Sequence, residues 1–196
     1  MSNKLLLILS TFMKIIANEG NLSRWIWRTS ILNLLEYVER QEFEDDTILY
    51  FLEDDYLHKP GWVSIMREGF DYLNNEYLTL YDHKDKYTLP MYSELQSRIT
   101  ITPSVHWRTT PSTTNTYAML AKTFRYHIKI HKQFCDLRQG NTWDHFKFKK
   151  LWSIGSSLVS CVPGYSTHCD GVGLSPVINW QEIASNQMEI QTSGNQ

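Results

Sequence analysis

Three carboxylates in a row, Glu53-Asp54-Asp55, follow directly on the apolar run Thr47-Ile-Leu-Tyr-Phe-Leu52. That run is continuous, rich in β-formers and short, the pattern of a strand buried on both faces of a mainly parallel sheet. Ligands of open α/β sheets bind outside the carboxyl ends of the strands, and the acidic run stands at such an end. Adjacent carboxylates repel one another, and a hard divalent cation that takes oxygen ligands, Mg²⁺ or Mn²⁺, relieves that repulsion. Side chains alternate along extended backbone, so Glu53 and Asp55 point one way and Asp54 the other. An acidic loop after a strand has the same sequence, and this spacing alone does not separate the two.

Other polar residues gather at places that suit chemistry. Asp82 and His83 end a second strand, Tyr77-Leu-Thr-Leu-Tyr81, where an ordinary turn reads the same way. His106, Trp107 and Arg108 form a polar and aromatic cluster: Arg108 suits a diphosphate and Trp107 a sugar face, and both equally suit a structural role. His168 and Asp170 lie in a polar stretch, Tyr165 to Gly173, expected as a loop after Pro163-Gly164. Cys161, Cys169 and His168 are irregularly spaced for zinc and lack an evident fourth ligand.

Positioning these residues falls to alternating helices and strands. The start, Met1 to Ile16, carries Lys4-Leu-Leu-Leu-Ile-Leu9, read as an amphipathic helix or a buried strand. Its apolar run is too short to span a bilayer and is followed by no small-residue cleavage site. Lys14 to Asn18 reads as a short strand and Glu19-Gly20-Asn21 as a turn. Asn21 or Ser23 then caps a helix whose apolar face, Trp27, Ile31, Leu34 or Leu35 and Val38, runs to about Arg40. Pro60 opens another helix, with Trp62, Ile65, Met66, Phe70 and Leu73 on one face. Arg98 to Ala118 reads as paired strands near Pro103 and Pro111. Helices are expected over Lys122 to Phe134 and, with Thr142 as cap, over Trp143 to Trp152; Ser157 to Val162 is the last strand. The fold class expected is α/β, one domain over residues 1–190 with a polar, frayed tail at 191–196.

Composition narrows the function. The chain has 196 residues, of which 42% are hydrophobic and 20% charged, ordinary for a globular domain with a real core. A net charge of −2 lacks the basic excess that phosphate backbones require, so nucleic acid is not an expected partner. Lys147, Lys149 and Lys150 read as a solvated helix face. Three cysteines without a CxxC pair argue against a disulfide scaffold and fit a reducing, cytoplasmic compartment. Aromatic residues reach 13%, which suits sugar or base platforms as well as a core.

The stretches Tyr50-Phe-Leu-Glu-Asp-Asp-Tyr-Leu-His-Lys-Pro-Gly61 and Tyr77-Leu-Thr-Leu-Tyr-Asp-His-Lys-Asp-Lys-Tyr87 resemble small GT-A-type glycosyltransferases of the family 2-like kind. So do Val105-His-Trp-Arg-Thr-Thr-Pro-Ser-Thr-Thr114 and Tyr165-Ser-Thr-His-Cys-Asp170, so that the likeness runs from Asn18 to Trp180. The resemblance implies a GT-A-like mixed, mostly parallel sheet flanked by helices. It makes the acidic run a DxD-type motif, with Asp55 ligating Mn²⁺ or Mg²⁺ and His168 completing the metal or diphosphate site. Glu53, near the nucleotide ribose or the metal's waters, falls on the substrate side together with Asp54, and Asp82 with His83 lines the donor-sugar pocket. Asp144, in Gly140-Asn-Thr-Trp-Asp-His-Phe146, matches the general base that takes the acceptor's proton, with Trp143 and His145 shaping the acceptor pocket. An Asp in a first helical turn is also favoured by the helix dipole alone.

The expected activity is therefore transfer of a sugar from a nucleotide-diphosphate sugar, such as a UDP-sugar, to the hydroxyl of a glycan or other acceptor, with inversion. One departure stands out. A βαβ unit takes about 30 residues, and only a short segment precedes Asn18, so the N-terminal nucleotide-binding unit is expected to be shortened or altered. A metal-dependent phosphoesterase and a non-catalytic carbohydrate-binding module are the rival readings. The first asks for more His and Asp ligands than these motifs supply.

Overall fold

A computed structural model of the chain describes residues 4–9, 23–135 and 143–193. The strand expected at Lys14 to Asn18, the turn at Glu19 to Asn21 and the Asn21 and Thr142 caps lie outside the described residues. The architecture is α/β, a mixed seven-stranded sheet flanked by helices, compatible with a Rossmann-like arrangement.

Strand β1 (Leu5–Leu9) pairs parallel with β2 (Ile48–Leu52), so the apolar start of the chain is a strand. Next comes β7 (Tyr117–Leu120), antiparallel to β2 and to β4 (Tyr77–Thr79). Then follow β8 (Leu158–Val162), β6 (His106–Thr109) and β5 (Ile99–Ile101), the last two an antiparallel hairpin. Strands β2 and β4 both run antiparallel to β7 and therefore point the same way. They are separated by β7, whose side chains Tyr117, Ala118 and Met119 are all buried. Outside this sheet, β3 (Tyr56–His58) and β9 (Ser166–His168) form a two-stranded antiparallel ribbon.

Contacts gather into two compact units. The first takes in the described residues up to Asp54, with Asn74–Thr79 and Thr109–Val159; the second takes in Asp55–Leu73, Leu80–Arg108 and the residues from Ser160 on. In the first unit, helices α1 (Ser23–Glu39), α4 (Ala121–Gln133) and α5 (Asp144–Ser153) cover the strands. Its core holds Leu35, Leu49, Phe51, Tyr77, Tyr117 and Phe124, and Phe51 stacks on both Tyr117 and Phe124. All five residues of β2 are buried, as its unbroken apolar sequence requires. Polar rings are buried with them: Tyr77 Oη lies 2.9 Å from His127 Nδ1 and 3.0 Å from His131 Nε2. Such groups are tolerated inside because each finds a partner.

The second unit contains α2 (Trp62–Tyr72), the short α3 (Asp85–Thr88) and α6 (Trp180–Ser193). Pro60 precedes α2 as expected, and Gly61 adopts φ +83, a left-handed turn that only glycine makes without strain. Ile65, Met66 and Trp107 are buried, and Trp180 donates to the Ser175 carbonyl at 2.8 Å. Two expectations are corrected. Tyr165 to Gly173 is not all loop, because Ser166–His168 finds a ladder partner in β3. The backbone after Glu189 continues in α6 as far as Ser193.

Candidate functional site

The acidic run sits where β2 ends, and in the first unit its first member is held in place. Asn115 Nδ2 donates to Glu53 Oε1 at 2.9 Å, while the Asn115 backbone N–H donates to Asp144 Oδ2 at 2.6 Å. Asn115 has φ +44, a conformation asparagine tolerates better than most residues, and it serves here as a bracket between two acids. The other oxygen of Asp144 accepts from Lys147 Nζ at 2.6 Å, and both side chains are over nine-tenths buried. Lys147 was expected on a solvated face. It turns inward instead, where Asp144 and the ring of Tyr117, 4.2 Å away, compensate its charge.

In the second unit Asp55 begins the chain into β3. The β3–β9 register places Tyr56 opposite His168, and the Cys169 N–H donates to the Asp55 carbonyl at 2.9 Å, so backbone pairing brings the Asp55 and His168 side chains together. His168 Nε2 lies 2.9 Å from Asp55 Oδ2, and Nδ1 lies 3.0 Å from Asp170 Oδ2. Asp170 is itself fixed: its Oδ1 accepts from the backbone N–H of Gly173 at 2.6 Å and of Val172 at 3.0 Å. The Gly173 N–H, with help from His168 and Val172, holds this carboxyl below the usual carboxylate range. Rings of Tyr56 and then Tyr81 pack behind His168, at 5.1 Å and 5.4 Å between successive centroids.

Glu53 precedes Asp55 by two residues on the chain and belongs to the first unit. Within the second unit, the Asp55 carboxylate and the His168 imidazole are donors of the kind a divalent cation of the Mn²⁺, Mg²⁺ or Zn²⁺ class takes. The arrangement around His168 passes a further test. The ring lies between two carboxylates, Asp170 at Nδ1 and Asp55 at Nε2, and a carboxylate behind one ring nitrogen is the support found behind metal-bound imidazoles. Asp54 and Asp55 are both exposed and stand in a turn after β2, so the alternation expected for extended backbone does not govern them. The cysteines are apart from this chemistry: Cys161 is buried with its thiol on the Leu80 carbonyl, and all three are free.

Asp82 and Arg108, two of the expected substrate contacts, meet in the second unit. Arg108 donates to Asp82 Oδ1 at 2.6 Å, Tyr87 Oη donates to Oδ2 at 2.6 Å, and the guanidinium lies 4.7 Å over the Tyr87 ring. Burial raises the Asp82 carboxyl above its usual range although Tyr87 and Arg108 oppose it. At Asp85 burial pulls the same way, but His83 and Lys86 prevail and hold that group low. Arg108 Nε is buried without a protein acceptor.

Trp107 is a correction. It is fully buried and donates from Nε1 to Thr102 Oγ1 at 3.1 Å, so its faces belong to the core and no sugar stacks on it. His106 alternates to the exposed side of β6. Trp143 is half-buried against Phe146, and His145 lies half-buried beside the same ring. Sequence reasoning missed Asn115 and Lys147. The signal for the first was a polar Thr-Thr-Asn-Thr turn entering β7, and for the second a Lys three residues after an Asp in a helix.

No protein-family model matches the chain, and comparison with curated proteins finds no match. No helix among the described residues is long and apolar enough to cross a membrane.

Proposed function

We propose that the chain is a metal-dependent glycosyltransferase of the GT-A type, moving a sugar from a nucleotide-diphosphate sugar to a hydroxyl-bearing acceptor. The observation that carries the reading is His168, its Nε2 2.9 Å from Asp55 and its Nδ1 3.0 Å from Asp170, with Asp55 closing the acidic run that follows β2 in the sequence. Asp55 and His168 are the residues that would hold Mn²⁺ or Mg²⁺, and Glu53 precedes Asp55 by two residues on the chain. A bound divalent cation supplies charge to offset the departing diphosphate.

The chain's own residues do the rest. Asp170, 3.0 Å from Nδ1, orients the ring with Nε2 toward Asp55. Asp82, clamped by Arg108 and Tyr87, is a fixed acceptor at the end of β4 for a donor-sugar hydroxyl. Asp144 takes a different part from the one its helix position suggests. Both of its oxygens are engaged, one by a buried ammonium, and a carboxylate so paired is a poor general base. It anchors Asn115 and, through Asn115, Glu53.

The test is calorimetric titration of UDP-sugars into the protein with and without Mn²⁺, repeated on Asp55→Ala. The reading requires Mn²⁺-dependent binding that Asp55→Ala abolishes. Equal binding with and without the metal, or hydrolysis of a generic phosphate ester with no donor binding, overturns it.

A further inference from the structure

Beside the carboxylate centre, within the second unit, lies a cleft of about 390 Å³ lined by residues 56–63 and Gln187. It is built from β3, the Lys59-Pro60-Gly61 turn, the first turn of α2 and one side chain of α6. Its size falls in the range of small-ligand sites. Gly61 opens it: a Cβ there meets nothing within 4 Å.

The lining contains no carboxylate. Its one ammonium, Lys59, sits 4.5 Å over the ring of Tyr165. Burial pushes His58 down to about 4, against a hydrogen bond to the Tyr56 backbone that favours the charged ring, so the imidazole is neutral at physiological pH. Flat surface comes from Trp62, half-buried and 4.7 Å from His58 between ring centroids, and from Tyr56. Gln187 adds a primary amide, whose Nε2 donates to the His58 carbonyl at 2.9 Å. Rings of this kind offer an apolar face, and amides and imidazoles pair with vicinal hydroxyls. A nucleoside diphosphate needs more positive charge than this cleft has.

We infer that the cleft binds a neutral saccharide and, resting on the transferase reading, that this saccharide is the acceptor. Its location supports that role. Tyr56 lines the cleft and is also the ring packed 5.1 Å from His168, so a sugar held there lies next to the Asp55–His168 pair.

The full chain is titrated with lactose, cellobiose, chitobiose and mannobiose in the presence of EDTA, with the Trp62 indole resonance followed by NMR and assigned through Trp62→Phe. UDP is the control. The expected result is millimolar binding of at least one disaccharide that shifts this resonance. Trp62→Ala weakens binding about tenfold or more. Trp62→Ala removes a half-buried ring, so Gly61→Asn provides a second variant: asparagine tolerates the left-handed backbone and fills the opening, with the same loss expected. Absence of a shift with all four disaccharides at about 10 mM overturns the inference, as does binding that survives both variants or is displaced by UDP. Disaccharide binding in a protein that ignores UDP-sugars and Mn²⁺ supports the cleft and overturns the transferase reading, leaving a carbohydrate-binding module.

Discussion

Asp55 Oδ2 and His168 Nε2 stand 2.9 Å apart because β3 and β9 pair in the register that sets Tyr56 opposite His168. A one-residue slip of that ribbon would turn His168 to the other face and separate the pair. The contact is thus set by backbone hydrogen bonds, and side-chain changes at the site can be made without disturbing what delivers them.

Asp170→Asn removes the negative charge behind His168 while keeping a similar shape. Partners of this kind typically contribute 10- to 100-fold to metal affinity, so Mn²⁺ affinity should fall by about that factor. His168→Ala should lose binding altogether. Mn²⁺ titration followed by electron paramagnetic resonance distinguishes the two, and equal affinity in wild type and Asp170→Asn would show that Asp170 does not support a ligand.

Lys147 and Asp144 form a buried pair, and breaking such a pair from one side leaves an uncompensated charge. Lys147→Met should therefore destabilise the fold by about 3–5 kcal/mol, with part of the loss recovered in the double variant carrying Asp144→Asn. Urea unfolding measures both. A single variant as stable as wild type would return Asp144 to the list of groups available for catalysis.

How much of this was legible in the sequence depended on where the information lay. The unbroken apolar run ending in acids announced β2 and its carboxylates, because strand burial and strand ends are written locally. Helix periodicity placed α2 and α4 within a residue or two of Pro60 and Lys122. Pairing partners were not legible. Nothing near Tyr117 says that β7 inserts between β2 and β4, and nothing near Ser166 says that a three-residue strand finds β3. The inward turn of Lys147 and the burial of Trp107 likewise depend on distant neighbours: a lysine in a Lys-rich helix looks solvated, and a tryptophan in a polar cluster looks like a platform, until the packing around each is known.

Acid should weaken the fold from pH 6.5 downward. Burial lowers the pKa of His58, of His127 and, most strongly, of His131, which the neighbouring Lys147 and His127 lower further. The folded state keeps these rings neutral while the unfolded chain protonates below about 6.5, so the unfolded state holds more protons as pH falls. The stabilisation is whole above pH 6.5 and is lost progressively toward the folded-state values, about 4 for His58. Each histidine contributes a slope of up to about 1.4 kcal/mol per pH unit. Urea midpoints at pH 7.5, 6 and 5, flat across the series, would contradict this.

Trp107→Ala tests the core assignment of that ring. Removing a fully buried tryptophan typically costs about 3–5 kcal/mol, and the Thr102 hydroxyl also loses its indole partner. The expected signature is a lower unfolding temperature with unchanged sugar affinity in the protein that remains folded. A specific loss of sugar binding at full stability would restore Trp107 as a platform.

Gly173→Ala probes the support of His168 from behind. A Cβ at Gly173 would lie 2.7 Å from Tyr81 Oη and 3.2 Å from Asp170 Oδ1, so the Tyr81 hydroxyl must move and Asp170 must give by a few tenths of an ångström. Tyr81 is buried and donates to the Gly173 carbonyl, so its displacement costs stability, whereas Asp170 is partly exposed and has room to swing outward. An outward swing takes Asp170 Oδ2 away from His168 Nδ1 and loosens the ring that faces Asp55. The variant should therefore lower both the unfolding temperature and, like Asp170→Asn, the Mn²⁺ affinity, and combining the two changes should add little to the affinity loss of either alone. Additive losses, or an intact Mn²⁺ affinity in Gly173→Ala, would show that His168 keeps its orientation without Asp170.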